Sequence, residues 1–469
     1  MKNNKIFVLI PDGVGLKNFA YGSFPEIGKQ LGYDIIFWNQ TSKDLSEQGL
    51  KQIKLKPEPR AVTDLYKRAK IESELNHFTS KFNDPVYQTY KFPSSGNGLK
   101  TRLKNSFVRM MVNMHSGEKG VKHLQKRMEE AERKSKYYTQ CFDLLQREQP
   151  EFLFCTNQRP LTAIAPVLAA RDLGVPTGCF IFSWDNLPKA TKVVDADFYF
   201  VWSDHMKQEL LKYYPHILAE KVIITGTPQF EVHFDRQKRL EREEFINRFR
   251  LESSRKYLCF SGDDITTSPH DEVYLEDTAQ AVESLNSKGY DIGIIFRRSP
   301  VDHSGRYDDI LENYKHIITE IKPEWYKAGE AWNEILPEEE DLKLQTSIIS
   351  NTFMVINLGS SMVFDYASYK KPCAFINYDP EGKRAVKDVA IIYDYVHFRS
   401  MPGRDAVIWI DNKDEISGVI KKVLDKEIEF PVENALKWFE KINLQPAEKA
   451  SERFWEFISN LSSRQDLIS

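Results

Sequence analysis

The sequence is poor in cysteine and has no long apolar segment. Five cysteines are scattered over 469 residues, and no two of them form a C-x-x-C pair. This spacing argues against a zinc site or a disulfide framework and predicts buried thiols in a reduced compartment. No apolar run approaches the ~20 residues of a membrane-spanning helix, and the first one is shorter than a secretory signal core. We therefore expect a cytoplasmic protein.

The chain also lacks a large charge excess and a dinucleotide-binding fingerprint. A formal net charge of -3 argues against a general attraction to nucleic acid. The segment IPDGVG at 10–15 has two glycines of a G-x-G-x-x-G motif but not the third, and no acidic residue is correctly placed after the second strand. Neither a nicotinamide cofactor nor nucleic acid is expected as a ligand.

Short apolar runs alternate with helical segments along most of the chain. Six runs with strand character lie in the first half and six in the second. They occupy residues 5–10, 33–38, 151–156, 177–182, 198–202 and 221–226, then 256–262, 291–297, 316–321, 353–359, 373–378 and 406–410. Continuous apolar runs separated by helices are typical of parallel sheets that are covered on both faces. The pattern predicts an α/β protein with two doubly wound domains.

We place the first domain at residues 1–230 and the second at 231–430. Helical segments at 431–469 carry aromatic residues that need a packing surface, and we expect them to pack back on the first domain. Residues 57–147 contain no convincing strand and form a helical insertion in the first domain. Within it, apolar residues from Leu99 to Met114 recur at helical spacing among lysines and arginines. Such a helix suits an anionic membrane surface, and it equally suits packing on the domain.

Polar loops follow several of the predicted strands at the sheet edge where open α/β folds bind ligands. In the first domain they contain Asp12, Gly13 and Gly15 after the first strand, and Trp184, Asp185 and Asn186 after the strand at 177–182. An indole can cover a sugar or a base, and the polar pair can orient hydroxyl groups. Asp185 and Asn186 also fit a helix cap or an Asx turn.

Three loops of the second domain have residues that suit a diphosphate. They contain Gly262 and Asp263, then Arg297 and Ser299, then Gly359, Ser360 and Ser361. Backbone N–H groups, hydroxyls, a forked cation and a helix N-terminus together bind phosphate oxygens. Asp365, one turn into the helix after Ser361, suits a ribose hydroxyl, although an acid near a helix N-terminus is also favoured by the helix dipole.

Several of these motifs resemble a known family over roughly residues 182–379. The segments SWDNL, VWSD with VIITGTPQF, a strand ending in RRSP, and INLGSSMVFDYASYKKP with NYD resemble bacterial nucleotide-sugar glycosyltransferases of the GT-B fold. The C-terminal part is also similar to CDP-glycerol glycerophosphotransferases. Those enzymes usually have His-Pro after the arginine, whereas Ser299 replaces that histidine here.

The resemblance implies two Rossmann-like domains that face each other across a cleft, with no metal and no cofactor. The second domain would bind a nucleotide-sugar donor, with Arg297, Ser360 and Ser361 at its diphosphate and Asp365 by its ribose. Thr227 and Gln229 would line the cleft.

The first domain would bind the acceptor, a glycan or lipid-linked glycan, with contacts from Gly13, Gly15, Trp184 and Asn186. An inverting reaction needs a base at the acceptor hydroxyl, for which Asp12 is the first candidate and Asp185 the second. A retaining reaction needs neither.

The resemblance therefore implies a glycosyltransferase of surface-polysaccharide synthesis, in the cytoplasm or peripheral at the inner membrane face. Two alternatives stay open: a CDP-polyol phosphotransferase of the teichoic-acid type, and a non-catalytic sugar-nucleotide-binding protein. A nucleotide-sugar epimerase shares the architecture, but the long basic insertion favours a large acceptor.

Overall fold

The structure is a computed structural model that describes residues 4–91, 98–329, 334–381, 388–427 and 430–466. The chain forms two compact units. The first unit comprises residues 1–228 together with 449–469, and the second comprises residues 229–448. The main segment of the first unit thus ends at residue 228, close to the predicted boundary at residue 230.

The first unit is built on one seven-stranded sheet. Its strands are β1 (Lys5–Ile10), β2 (Asp34–Asn39), β3 (Gln52–Ile53), β4 (Phe152–Cys155), β5 (Thr177–Phe180), β6 (Phe198–Val201) and β7 (Val222–Ile224). They lie in the order β3-β2-β1-β4-β5-β6-β7, and every neighbouring pair is parallel. The order reverses between β1 and β4, so the carboxyl ends of these two strands form the switch point of the sheet.

Helices of the first unit connect the strands, and a helical insertion lies between β3 and β4. The helices are α1 (Gly13–Gly15), α2 (Phe24–Gln30), α3 (Ala61–Phe82), α4 (Leu99–Met114), α5 (Gly117–Glu132), α6 (Lys136–Glu148), α7 (Ile164–Asp172) and α8 (Asp204–Tyr213). A π-helical turn at Leu16–Ala20 follows α1. Helices α3 to α6 fall within the predicted insertion, and Ala69, Val108, Met111 and Leu124 form a small core among them.

The second unit repeats this construction with six parallel strands. The strands are β8 (Lys256–Ser261), β9 (Ile292–Arg297), β10 (Ile318–Glu320), β13 (Thr352–Asn357), β14 (Cys373–Ile376) and β15 (Ile408–Ile410), and β11 (Trp325–Lys327) with β12 (Ile335–Pro337) forms a separate antiparallel pair. The main sheet has the order β10-β9-β8-β13-β14-β15. This is the strand order of a Rossmann sheet, with its switch point between β8 and β13.

The helices of the second unit cover this sheet. They are α9 (Arg242–Phe249), α10 (Asp271–Asn286), α11 (Asp308–Asn313), α12 (Glu340–Asn351), α13 (Met362–Ser368), α14 (Val389–Tyr393), α15 (Ile416–Leu424) and α16 (Phe430–Ile442). The prediction of two doubly wound α/β domains with a helical insertion in the first is therefore confirmed.

The C-terminal helices divide between the two units, which corrects the prediction that residues 431–469 pack together on the first domain. Helix α17 (Ala450–Asp466) belongs to the first unit, whereas α16 belongs to the second. Trp438 of α16 is fully buried, with its ring 4.9 Å from that of Phe364, and its Nε1 donates to Ser400 Oγ at 2.8 Å. Trp438 thus finds its partners within the second unit, and so does Phe439, whose ring lies 4.8 Å from that of Phe230.

Two further predictions can be compared with the structure. All five cysteines are buried and unbridged, as the sequence predicts. Within the described residues, no helix combines the length and the apolar character that crossing a bilayer requires.

Candidate functional site

The three phosphate-type loops of the second unit follow three adjacent strands. Gly262 and Asp263 follow β8, Gly359 to Ser361 follow β13, and Arg297 ends β9 on the other side of β8. The N–H of Gly262 donates to the carbonyl of Arg297 at 2.9 Å. Because β8 and β13 flank the switch point, the structure brings these loops to the edge where doubly wound sheets bind ligands.

The loop Gly359–Ser361 is held in one conformation by its neighbours. Gly359 has φ of +66°, and a Cβ at this position would lie 3.1 Å from the Phe398 ring, so glycine is required there. Asn357 Oδ1 accepts a hydrogen bond from Ser360 N at 2.9 Å, and Ser360 Oγ accepts one from Met362 N at 3.3 Å. Asn357, which sequence reasoning missed, fixes this turn from the last position of β13.

Arg297 is almost buried and only half of its guanidinium is satisfied. Its Nη2 donates to both carboxylate oxygens of Asp341 at 2.9 Å, and Asp341 also accepts from Trp325 Nε1 at 2.7 Å. Its Nη1 is buried and has no hydrogen-bond partner among the described residues. Leaving a buried guanidinium nitrogen unpaired is unfavourable, so Nη1 is a donor that a bound anion would satisfy.

Asp263 belongs to a group of acidic side chains at this edge. Its N–H donates to Asp271 Oδ2 at 3.1 Å, and its carbonyl accepts from Arg306 Nη2 at 2.6 Å. Burial and the neighbouring carboxyls of Asp264 and Asp271 raise the pKa of Asp263 well above its usual range. Burial likewise raises the pKa of Asp271 to about 6. The shift favours the neutral form of Asp263, which reduces the repulsion that a diphosphate would meet from this residue, whereas a carboxyl with a pKa of about 6 is mostly ionised at neutral pH.

An unpartnered imidazole lies at the same edge. His270 precedes α10, and its Nε2 is buried without a hydrogen-bond partner in the described part of the chain. Together with Leu358 and Asp379 it lines a cavity of about 20 Å³. The glycerophosphotransferases that the sequence resembles usually have a histidine at the position of Ser299, and His270 supplies an imidazole from a different loop. In the sequence, His270 lies in the segment SPHD before a helix, and nothing in this pattern marks it as a ligand-binding residue.

Asp365 is not presented to solvent. Only 2 % of the residue is exposed, and one carboxylate oxygen lies 2.6 Å from His233 Nε2 and 3.4 Å from Gln345 Nε2. A contact between Asp365 and a ribose stays a prediction. Asp365 and His233 form this buried pair within the second unit.

The structure shows where the other residues predicted to bind the donor lie, and their contacts with a donor stay predictions. Ser299 is partly exposed, and its carbonyl accepts from Asp302 N at 3.0 Å. Thr227 is fully buried near the end of the first unit's main segment, and Gln229 is the first residue of the second unit.

In the first unit, Asp12 shapes the loop at the switch point. Its Oδ1 accepts from the N–H groups of Val14 and Gly15 at 3.1 Å each, and its Oδ2 accepts from Asn157 Nδ2 at the end of β4. Burial raises the pKa of Asp12, while these hydrogen bonds work in the opposite direction. With 1 % exposure and both oxygens engaged, Asp12 is a helix cap in this structure.

The glycines after Asp12 are explained by packing. Both Gly13 and Gly15 are buried, and a Cβ on Gly15 would lie 2.5 Å from Thr156 Oγ1. That hydroxyl is fixed by its own hydrogen bond to the carbonyl of Leu9 at 2.9 Å. The glycine at position 15 lets the first turn approach the end of β4, and acceptor contacts by these two residues stay predictions.

The segment after β5 forms a polar turn at the same edge. Asn186 Oδ1 accepts from Gln158 Nε2 at 2.9 Å, and Asn186 Nδ2 donates to Asp185 Oδ1 at 2.9 Å. Asp185 also pairs with Lys189, and its side chain is 22 % exposed, whereas Trp184 is only 6 % exposed. Asp185 is therefore the more accessible of the two predicted catalytic carboxylates. The indole of Trp184 does not offer an open stacking face.

Comparisons with known proteins support the architecture. No family model and no curated protein matches the sequence. Solved structures do match over nearly the whole chain. UDP-GlcNAc 2-epimerase from Neisseria meningitidis, bound to UDP-GlcNAc, is 13% identical, covers 97% of this chain and 99% of its own, and has a TM-score of 0.53. The chain has the GT-B fold.

Two further structures with this fold show the range of its members. S. aureus MnaA, solved with UDP, is 14% identical, with 98% and 97% of the two chains covered and a TM-score of 0.51. A glycosyltransferase from Rickettsia africae is 10% identical, with 97% and 98% covered and a TM-score of 0.51. The GT-B fold thus occurs both in an epimerase and in a glycosyltransferase. The fold alone therefore does not determine which reaction this chain catalyses, and its own residues carry that information.

Proposed function

We propose that this protein is a nucleotide-sugar-dependent glycosyltransferase that transfers a sugar to a glycan or lipid-linked glycan in surface-polysaccharide synthesis. The observation that carries the proposal is the convergence of three loops with phosphate-binding residue types on adjacent strands at the switch point of the second unit. In a GT-B fold this edge is suited to the nucleotide of the donor.

The donor site of the proposal uses protein groups in place of a metal. The bond between an anomeric carbon and a diphosphate breaks more easily when positive groups stabilise the departing phosphates. Arg297 Nη1 supplies a buried donor without a partner among the described residues, and the Ser360 hydroxyl, which accepts from Met362 N, can still donate to a phosphate oxygen. We therefore propose a metal-independent reaction, which parallel assays with Mg²⁺ and with EDTA will test.

In the first unit, we take Asp185 as the leading candidate for the general base, because its side chain is 22 % exposed whereas Asp12 is 1 % exposed. We predict that Asp185→Asn lowers sugar transfer about 10²-fold, because a general base contributes roughly this factor or more. The change keeps the size of the side chain, and donor affinity is expected to stay unchanged. Initial rates and donor titration separate the two effects, and full transfer activity in the variant would indicate a mechanism without this base.

A nucleotide-sugar epimerase is the second candidate, because an epimerase structure matches nearly the whole chain. Product analysis by mass spectrometry and NMR distinguishes the possibilities with UDP-, GDP-, dTDP- and CDP-linked substrates. A transferase releases a nucleoside diphosphate, through transfer or through slow donor hydrolysis. An epimerase leaves the sugar attached to the nucleotide, and a CDP-polyol phosphotransferase releases CMP. Release of a nucleoside diphosphate supports the proposal, and an epimerised nucleotide sugar would contradict it.

Helix α4 carries an exposed apolar stripe that suits a lipid surface. Leu99, Leu103, Met110 and Met114 are 48–75 % exposed, and they are four of the eight exposed large apolar side chains among the described residues. At 100° per residue these four positions fall within an arc of about 60°. Four lysines and arginines and no acidic residue occur between residues 99 and 114. We propose that this stripe binds an anionic membrane, where a lipid-linked acceptor would be reached.

A single charge on the stripe tests the membrane proposal. We predict that Leu103→Glu reduces binding to vesicles containing phosphatidylglycerol more than 10-fold in a flotation assay, because it buries a charge in lipid and opposes the basic residues. Leu218→Glu is the matched control, since Leu218 is 58 % exposed in the same unit but lies outside α4. Equal vesicle binding by the two variants would show that α4 is not the membrane contact.

A further inference from the structure

The first unit contains a cavity larger than the one beside His270, and it is lined by other residues than those of the polar loops described above. The cavity has a volume of about 300 Å³ and is lined by residues of α3 and α5 and by segments that precede β6 and β7. Lys192 and Asp195 precede β6, and Tyr214 and His216 precede β7. Segments that lead into parallel strands lie at the amino edge of the sheet, opposite the carboxyl edge that carries Asp12 and Asp185.

Buried ion pairs form the floor of this cavity. Lys70 Nζ lies 2.8 Å from Glu74 Oε2 and donates to the carbonyl of Lys192, and Lys192 pairs with Asp195. Lys70, Glu74 and Lys192 are each no more than 3 % exposed. Charged side chains are seldom buried to this extent unless they are paired, and these pairs give the cavity a charged lining.

Two buried polar groups of the wall have no hydrogen-bond partner among the described residues. Tyr214 is 3 % exposed and its hydroxyl is unpaired, and Gln125 Oε1 is likewise buried and unpaired. Both residues line the cavity. A hydroxyl can donate to an anionic oxygen, and an amide oxygen can accept from a ligand hydroxyl. Each unpaired group carries a desolvation penalty that a ligand of this composition would remove.

The charges of the side chains that line the cavity indicate what kind of ligand it binds. Five cationic side chains and three carboxylates line the cavity. At the rim, Lys126 is 75 % exposed and reaches Glu130 only at 4.0 Å, and Arg171 lies 3.9 Å from Glu129. These weak pairs leave positive charge available to an incoming anion. Burial, together with the charge of Lys192, lowers the pKa of His216, so this ring adds a neutral hydrogen-bonding group near neutral pH.

We infer that this cavity is a binding site for a phosphate monoester carried by a small hydroxylated molecule, separate from the proposed nucleotide site. The phosphate contacts Lys126, Arg171 and the Tyr214 hydroxyl, and a ligand hydroxyl donates to Gln125 Oε1. A volume of about 300 Å³ is at the lower end of the range for small-molecule sites. The same phosphate chemistry occurs in a soluble polyol phosphate and in a lipid headgroup.

The test is calorimetric titration of the full chain with inorganic phosphate and with glycerol 3-phosphate, and flotation with phosphatidic acid vesicles. We expect glycerol 3-phosphate to bind more tightly than phosphate, and Tyr214→Phe and Lys126→Ala each to weaken it at least 10-fold. Lys119→Ala, on the exposed part of α5 outside the cavity, is the control and is expected to bind as the wild type. Binding of vesicles alone, lost in the same variants, would identify the lipid headgroup as the source.

Thermal denaturation of the Tyr214→Phe variant gives a second test of this binding site. Because the Tyr214 hydroxyl is unpaired, Tyr214→Phe is expected to leave the ligand-free thermal midpoint unchanged or raise it. A clear decrease would show that the hydroxyl already has a partner and would overturn the assignment. So would the absence of binding by all three probes, or binding that Tyr214→Phe does not weaken. Nucleoside diphosphate binding to the second unit is expected to persist in this variant, so this test is independent of the proposed function.

Discussion

Replacing Arg297 by alanine is expected to lower kcat/KM for sugar transfer about 10³-fold, the upper end of what loss of one preorganised donor causes. The guanidinium has one nitrogen engaged with Asp341 and one buried nitrogen without a partner among the described residues. If Nη1 binds the donor diphosphate, its favourable interaction with the phosphate becomes stronger as negative charge develops on the departing group in the transition state. Both donor affinity and the rate of the chemical step should therefore fall.

Alanine at position 297 also leaves Asp341 as a buried carboxylate without its arginine, which by itself destabilises the fold. Arg297→Lys is the variant that separates the two effects. A lysine keeps the positive charge beside Asp341 but cannot supply a second forked nitrogen, so we expect a folded protein with strongly reduced donor binding.

The matched control for Arg297 is Arg255→Ala in the same unit. Arg255 pairs with Asp291 at 2.8 Å and precedes β8, at the amino edge of the sheet. Removing this ion pair is expected to leave transfer unchanged. Thermal midpoints and steady-state kinetics of the three variants check the prediction, and an Arg297→Lys protein with wild-type donor affinity would contradict it.

Trp455→Ala is expected to destabilise the first unit by about 3–5 kcal/mol, the usual range for truncating a buried tryptophan. The Trp455 ring is fully buried, with its centroid 4.8 Å from that of Phe24 and 5.1 Å from that of Tyr33. Its Nε1 donates to the carbonyl of Phe24 at 2.8 Å. The substitution therefore removes packing and a hydrogen bond at the contact between α17 and α2.

The companion variant Trp455→Phe keeps a ring but loses the hydrogen bond. We expect it to cost about 1–2 kcal/mol, because the carbonyl of Phe24 is left buried without that donor. Chemical denaturation followed by circular dichroism measures both free energies of unfolding. A loss below about 1 kcal/mol for the alanine variant would mean that α17 contributes little to the first unit.

The strands and the sheet-edge loops could be predicted because their signals are local. Apolar runs such as 5–10 and 291–297 identify buried strands, and a polar loop after such a run lies at the carboxyl edge. The short strands β3, β11 and β12 were missed, since strands of two or three residues have no readable period.

The partners of the predicted site residues were harder to foresee because they lie far away in sequence. Arg297 pairs with a carboxylate 44 residues later, and Asp365 contacts a histidine 132 residues earlier. Asp12 is predicted as a base because it lies just after the first strand; its oxygens accept from nearby N–H groups and from Asn157, and its role as a base stays a prediction. A sequence shows which residue types reach the edge, whereas tertiary packing decides which of them are free.

The most direct test of the central claim is calorimetric titration of the purified protein with UDP, GDP, CDP and dTDP, with Mg²⁺ and with EDTA. We predict that one nucleoside diphosphate binds selectively, with the same affinity under both conditions, and that Arg297→Lys weakens this binding at least 10-fold. If none of the four binds, or if Arg297→Lys binds as tightly as the wild type, the loops at the switch point of the second unit are not a nucleotide site.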